Sequence, residues 1–387
     1  MSGGAADSSL RVAMVLPDLR RAGAESAVVN LSRTLVRCGV AVDLVVIGAR
    51  QEYTDELAGS GVRLHCLDLY RQTIRFYRQD KHWQIRRQLE RFFRYLAAPI
   101  VHMHLFHGLV WAAVAARKAG SLTCYTAHGL DPWLTQQDLI SLWRRWLFKR
   151  AWRHSGAHLS AVSPSVIQHT AQGLSCDPHS ITWLPNSLSA AGWHPPPATK
   201  PLGRTIIMVG TLYPLKRVST GIQALALLPE ALLWVVGDGP QRSALQQLAA
   251  AQGVMERVTF LGVRTDLPEL LQSADLFWLL SEREGMPMVA LEAMASGLPV
   301  VATAVPGTRD LLRHEENSLL VALDQPQQVA AATRRLWQEE SVRQRLIAEG
   351  LATAALYESG RIARQHIAYY QGLREMESGC HGVCHKP

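Results

Sequence analysis

The sequence predicts an α/β chain made of two doubly wound domains. Short apolar runs alternate with helix-length amphipathic segments almost throughout, the pattern of parallel sheets covered by helices on both faces. The chain has 387 residues, and at roughly 150 residues per domain that length holds two domains with sizeable cores. Between them His194–Pro201 carries four prolines in eight residues, a stretch that continues neither helix nor strand.

In chain order, Arg11–Leu16 is expected as a buried strand, Glu25–Val36 as a helix and Val42–Ile47 as the next strand. Ile100–Met103, Leu122–Ala127 and Leu159–Val162 extend the same sheet. After the proline break the alternation restarts with the strand Thr205–Val209, a helix near Val218–Leu227, the strand Leu232–Val236 and a helix from Gln241. Val258–Leu261, Asp275–Leu280 and Pro299–Ala302 supply three more strands, and Arg361–Met376 is a last helical stretch. We therefore expect domains over 1–197 and 198–360, then a C-terminal helix and flexible tail over 361–387. Ligands of open α/β sheets sit at the carboxyl ends of the strands. Two such domains facing across a cleft would offer a place for two substrates.

Apolar residues make up 48% of the chain and charged residues 19%, which excludes a disordered or fibrous protein. No apolar run, Leu109–Ala116 included, approaches the length needed to span a bilayer. Met1–Ser9 lacks a signal pattern, and scattered cysteines such as Cys38 and Cys124 form no disulfide framework. A cytoplasmic setting is the expectation. The formal charge of +8 is uneven: residues 1–200 hold 23 basic and 13 acidic side chains, against 17 and 19 in the remainder. The positive half implies an anionic partner, nucleic acid or an acidic membrane surface.

The most informative stretch, Ser281–Glu292, directly follows a strand. Pro287 suits a helix start, with Gly297 and Pro299 beyond its end. Glu284 then lies in the loop, and Gly285 permits close backbone approach to a ligand. The amides of Met288 and Val289 would point out of the helix N-terminus, where phosphate oxygens bind. Glu292 follows eight residues after Glu284. Two carboxylates near a phosphate site suit a sugar or a ribose, although a helix cap and a solvated face account for the same spacing.

Other blocks narrow the choice. Arg21–Glu25, Thr126–Gly129, Val162–Ser163, Leu184–Asn186, Val209–Lys216, Val236–Pro240, Phe260–Gly262 and Glu292–Val301 occur in order. Together with Glu284-x7-Glu292 they resemble the signature blocks of retaining glycosyltransferases of family 4, which have the GT-B fold of two facing Rossmann-like domains. The resemblance covers about residues 11–350. It implies that Glu284 contacts the donor sugar and Glu292 the nucleotide ribose. Backbone groups of Gly285, Met286 and Pro287 would bind sugar hydroxyls, and the Met288 and Val289 amides the diphosphate. Lys216, with help from Arg217, would neutralise the leaving diphosphate. Gly23 would let the first-domain loop approach phosphate or acceptor, Gly237 would belong to the donor site, and Val263 and Arg264 would recognise the base. His128 would approach the donor sugar. The implied catalytic set is Glu284, His128 and Lys216.

The chain departs from the pattern at Thr211, where the family often has an arginine, and at Ala22 and Pro306, which replace glycines. No Asp-x-Asp occurs, so the expected reaction needs no metal or cofactor.

Tyr70–Leu96 carries eight basic side chains against Asp80 and Glu90, interleaved with aromatics, and Leu142–Arg150 repeats that chemistry. Such helices suit an anionic membrane surface, although an apolar stripe also packs on a sheet. No nucleic-acid-binding pattern accompanies the charge. Cys380–His385 has no second ligand pair nearby and is expected to be a flexible tail. The expected partners are a nucleoside-diphosphate sugar, with UDP as one option for the nucleotide, and a glycan or lipid-linked acceptor of cell-envelope polysaccharide synthesis. The setting would then be peripheral, at the cytoplasmic face of the inner membrane. Two alternatives stay open, a GT-B sugar-nucleotide 2-epimerase and a non-catalytic membrane-associated binding protein.

Overall fold

The computed structural model describes residues 10–49, 52–70, 79–188, 193 and 203–381. They form two compact units: the chain up to Ser187 together with the segment from Ser359, and Leu188 to Glu358.

The first unit is a seven-stranded sheet in the order β3-β2-β1-β4-β5-β6-β7. Its strands are β1 (Arg11–Leu16), β2 (Ala41–Gly48), β3 (Arg63–Tyr70), β4 (Ile100–His104), β5 (Leu122–Ala127), β6 (His158–Ala161) and β7 (Thr182–Trp183). All pairs are parallel, with Val12 of the central β1 opposite Val42 on one side and Ile100 on the other. β4 and β5 are buried along their whole length, as strands covered on both faces must be. Their apolar residues pack against helices that each bury one stripe and leave a polar one to solvent.

The second unit is a six-stranded parallel sheet, ordered β10-β9-β8-β11-β12-β13. It comprises β8 (Thr205–Val209), β9 (Leu232–Val236), β10 (Val258–Gly262), β11 (Leu276–Leu279), β12 (Val300–Thr303) and β13 (Leu319–Val321). Both sheets begin in the middle, grow to one side and then cross to the other. The direction of winding reverses between β1 and β4 in one unit and between β8 and β11 in the other, so loops diverge there and open a crevice at the carboxyl edge.

Two sequence expectations about domain limits need correction. The first unit ends at Ser187 rather than near residue 197, because the Leu188 amide already bonds the Tyr357 carbonyl of the second unit at 2.9 Å. The terminal helix, Ser359–His381, is no separate segment. It packs on the helix Gly23–Arg37 and buries Ile362, His366, Tyr370 and Leu373, one stripe at helical spacing. Periodicity announces such a stripe but does not say which sheet receives it. Residues 382–387, most of the expected tail, lie outside the described residues.

The helices Gln79–Leu96, Leu105–Lys118 and Leu139–Ser155 lie side by side on the first unit. Ile85, Leu89, Phe93 and Leu96 are buried in its core, so most of the apolar stripe expected at a surface is packing instead. Arg71, Arg75 and Arg78 lie outside the described residues. No described helix is long and apolar enough to cross a membrane.

Candidate active site

At the winding reversal of the second unit, the loops after β8 and β11 are tied by two ion pairs. Lys216 Nζ lies 2.7 Å from Glu284 Oε1, and Arg217 Nη2 lies 2.9 Å from Glu282 Oε2. A backbone bond from the Glu282 amide to the Leu215 carbonyl, 2.8 Å, holds the same two loops together. Lys216 closes a single 3₁₀ turn, Pro214–Lys216, and its side chain runs beside Gly210, where an added Cβ would approach Lys216 Cε to 3.3 Å. Lys216 and Glu284, both members of the expected catalytic set, are therefore in contact before any ligand is considered.

Arg217 is committed elsewhere. Its backbone is left-handed, at φ +50°, and its guanidinium faces Glu282 and, at 3.5 Å, Asp324. With two carboxylates around it, its charge braces the loop instead of standing beside Lys216.

A third loop, after β12, supports Glu284 from behind. The Glu284 amide bonds the Pro306 carbonyl at 3.3 Å. Gly307, at φ +78°, lies so close that an added Cβ would sit 1.8 Å from the Glu284 carbonyl oxygen. Of the two positions where the family pattern has glycines, the indispensable one is thus retained, and Pro306 supplies only a carbonyl. Sequence reading flagged this pair as a departure and missed the role of Gly307; the signal available was the glycine itself.

The helix Met288–Ala295 starts one residue later than expected, with Pro287 as its N-cap residue. The Met288 amide, expected to point at phosphate, is instead turned to the Met286 carbonyl at 2.9 Å, because the chain makes a tight turn there. The Val289 amide follows in the first turn. Glu292, on the same helix, is partly exposed, and burial pushes its carboxyl up to about 7, since desolvation disfavours the charged form.

The other expected donor residues are dispersed. Gly237, at φ +123°, would place a Cβ 2.1 Å from the Gly210 carbonyl oxygen, so it lets the ends of β8 and β9 meet. Val263 is exposed beyond β10. Arg264 is exposed and held by Asp266 through two bonds of 2.8 and 2.6 Å.

In the first unit, Gly23 opens the first helix with no atom within 4 Å of an added Cβ, so room exists on that side. His128 lies just past β5, and its Nε2 is 3.0 Å from His104 Nδ1 at the end of β4. His104 stacks at 4.2 Å between ring centroids on His102. His102 in turn bonds the Tyr370 hydroxyl and Thr126 Oγ1, both at 2.7 Å. Desolvation pushes His102 and His104 well below the ordinary imidazole value, and His128 and His366 down to about 4. The cluster is neutral near pH 7. Of its members sequence reading singled out only His128; the alternation in His102-Met103-His104 was the missed signal, because successive strand side chains point to opposite faces.

The family profile for glycosyl transferases group 1 matches residues 193–352, and that for Glycosyltransferase Family 4 matches residues 21–190. The chain belongs to glycosyltransferase family 4. Among curated family members, the lipopolysaccharide core biosynthesis glycosyltransferase LpsE of Rhizobium meliloti is 35% identical over 46% of this chain and 51% of its own length. The UDP-Gal:alpha-D-GlcNAc-diphosphoundecaprenol alpha-1,3-galactosyltransferase of Escherichia coli is 28% identical over 58% of this chain and 62% of its own. The matched segment thus spans about half to three fifths of those relatives. Anabaena HepE, solved in complex with UDP and glucose, superposes with a TM-score of 0.78 at 19% identity over 94% of this chain and 100% of its own. This likeness identifies the fold as GT-B.

Proposed function

We propose that this family 4 member transfers a sugar from a nucleoside diphosphate to a lipid-linked or cell-envelope glycan, with retention of configuration and without a metal ion. The observation that carries the reading is the Lys216–Glu284 pair at the winding reversal of the second sheet, 2.7 Å apart. A cation and a carboxylate at that edge suit the two halves of a donor, its diphosphate and its sugar hydroxyls. On donor binding the pair exchanges partners: Lys216 turns to the diphosphate and Glu284 accepts from a hydroxyl. The bond from C1 to the leaving phosphate oxygen breaks as the acceptor oxygen bonds C1 from the same face, and the acceptor proton passes to the leaving phosphate. Lys216 stabilises the charge that develops there, a contribution worth about 10²–10³ in rate for one such group. Lipopolysaccharide and undecaprenyl-linked acceptors in the names of the relatives support the acceptor class.

The acceptor is read as meeting the protein at an anionic membrane surface. Two helices of the first unit, Gln79–Leu96 and Leu139–Ser155, which both pack on Leu105–Lys118, repeat one exposed device, a tryptophan with an arginine over it one turn later. Arg87 lies 4.9 Å from the Trp83 ring, and Arg150 lies 5.6 Å from the Trp146 ring. Leu139, Ile140 and Leu142 are exposed beside the second pair. Tryptophan with arginine suits the headgroup layer, and exposed leucines suit the layer beneath it.

Thermal-shift measurements with UDP-, GDP- and ADP-sugars test the donor, since a ligand of the folded state raises its apparent stability. Transfer from the stabilising donor should fall at least about 100-fold in Glu284→Gln and Lys216→Ala; unchanged transfer in both would sink the site. Loss of turnover in EDTA would overturn metal independence. Equal sedimentation with neutral and anionic vesicles would remove the membrane surface.

A further inference from the structure

The buried histidines of the first unit carry a second layer of organisation behind His128. His104 is the last residue of β4, and Leu105 opens the next helix with no loop between them. Leu105 makes that elbow at φ +61°, a left-handed conformation that is strained for a leucine and persists only where the surroundings enforce it. The strain stands next to the ring that contacts His128.

The outward atoms of the two rings share a second property. His104 Nε2 and His128 Nδ1 are buried without a hydrogen-bond partner, and so is Ser187 Oγ. All three residues line one cavity of the first unit, together with Thr126 and His366, and it has about 10 Å³ open to water. That is close to the smallest volume that admits a single water, which also needs two to four polar partners. Leaving three buried polar atoms unpaired would forfeit the hydrogen bonds that each makes with water in the unfolded chain.

We propose that His104 is a positioning residue that fixes the tautomer and ring plane of His128, and that one ordered water shared by His104 Nε2, His128 Nδ1 and Ser187 Oγ completes the pair. The chemistry is reciprocal. Between two neutral rings only one of the facing nitrogens, His104 Nδ1 or His128 Nε2, carries the proton of their 3.0 Å bond. If His104 donates, His128 Nδ1 keeps a hydrogen and His104 Nε2 a lone pair; if His128 donates, the two are exchanged. In either arrangement the cavity receives one donor and one acceptor. A water satisfies both at once and locks whichever arrangement the surroundings prefer, and the serine hydroxyl adapts to its remaining hydrogen or lone pair. The significance for catalysis rests on His128 belonging to the active site.

Nitrogen-15 NMR of histidine-labelled full-length protein near pH 7 separates the two claims. We expect His128 in one neutral tautomer, its ring nitrogens widely split. In His104→Phe, which keeps the bulk and removes both nitrogens, the two shifts should converge. His104→Asn, whose amide reaches the place of Nδ1, should restore the splitting. Turnover should fall about tenfold in His104→Phe with the KM for donor within about twofold, and recover in His104→Asn. Unfolding midpoints of each variant show that the fold survives, and Ser187→Ala, which removes a hydroxyl bonded to neither ring, should disturb the splitting without unfolding the unit. An unaltered His128 pattern in His104→Phe would overturn the positioning. Absence of a water peak in a high-resolution crystal structure would overturn the water. Converged shifts with unchanged transfer in both His104→Phe and His128→Ala would instead remove His128 from the active site and leave its tautomer control by His104 intact.

Discussion

The carboxyl edges of the two sheets solve the same problem with opposite electrostatics. In the second unit, Lys216 pairs with Glu284 and Arg217 with Glu282 in ion pairs that water still partly reaches. In the first, His102, His104, His128 and His366 are stripped of charge by burial. On the function proposed above, the difference follows from what each edge would bind. A diphosphate is a dense anion, and an ion pair that water still reaches can exchange one carboxylate for a phosphate at little cost. A sugar hydroxyl is neutral, and it is recognised best by groups whose direction is fixed and whose charge does not compete. Ions serve exchange, and neutral rings serve shape.

The contrast is most open to test through pH, where the two edges should respond with opposite signs. A histidine whose folded value is near 4, such as His366, binds its proton more readily in the unfolded chain, where its value is near 6.5. Unfolding is then favoured as pH falls from about 6.5 to 4, and each such residue contributes up to ~3 kcal/mol of stability that is complete only above that window. Glu292 is raised, to about 7, so its contribution is complete below about 4.5 and lost as pH rises through 7. Hydrogen exchange followed over pH 4–8 should show protection rising with pH in β4, β5 and the terminal helix. The helix Met288–Ala295 should carry a component of the reverse sign. His366→Leu should flatten the first slope and Glu292→Gln remove the second. Parallel slopes in both regions, unaltered by these variants, would abolish the distinction.

A second way to break the comparison uses glycines, one from each edge. At Gly307 an added Cβ would strike the Glu284 backbone at 1.8 Å, whereas at Gly23 it would meet nothing within 4 Å. Gly307→Ala should therefore displace Glu284 and reduce transfer by about 100-fold, the scale of an ångström-sized misplacement of a reacting group. Gly23→Ala should leave the unfolding midpoint nearly unchanged and act only through ligand contact. Equal midpoints and rates for the two variants would show that the loop after β12 does not fix Glu284.

Much of this was legible beforehand, and the reasons differ by region. The buried strands β1, β5, β8 and β9 declare themselves as apolar runs, and the ordered loop blocks name the fold because each occupies a strand end. β3 was missed: Arg63–Tyr70 is an edge strand, only partly buried, and carries an arginine, a histidine and an aspartate. β13, three residues long, is too short to show a period. Glu284 and Lys216 could be named separately, but their contact joins residues 68 positions apart and depends on two loops meeting. The Met288 amide was misjudged because a helix N-terminus predicts exposed donors but not the tight turn that claims one of them. The histidine cluster needs His366 and Tyr370 from a helix that returns to the first unit, and nothing in the periodicity of that helix specifies the return.

The smallest expected effect, about tenfold, concerns the one group at the second edge that burial has moved toward the behaviour of the first. Glu292 near 7 is divided between its two forms at neutral pH. Vicinal hydroxyls of a ribose donate hydrogen bonds, and the carboxylate accepts them better than the acid, so binding favours the ionised form and releases a proton. Affinity for the stabilising sugar nucleotide should rise with pH through about 7 and level off above it, being weaker by up to about tenfold at about pH 6, one unit below the carboxyl's own value. A sugar nucleotide is the right probe, because both of its phosphates are esterified and neither titrates in this range. Calorimetry at pH 6 and 8, in two buffers of different ionisation enthalpy, reads both the affinity and the proton released. Glu292→Gln should bind with one affinity at both pH values and release no proton. If wild-type affinity were flat with pH, the carboxyl would lie away from the ribose, and the raised value would belong to packing alone. A slope that survives in Glu292→Gln would show that another group, not Glu292, takes up or releases the proton coupled to donor binding.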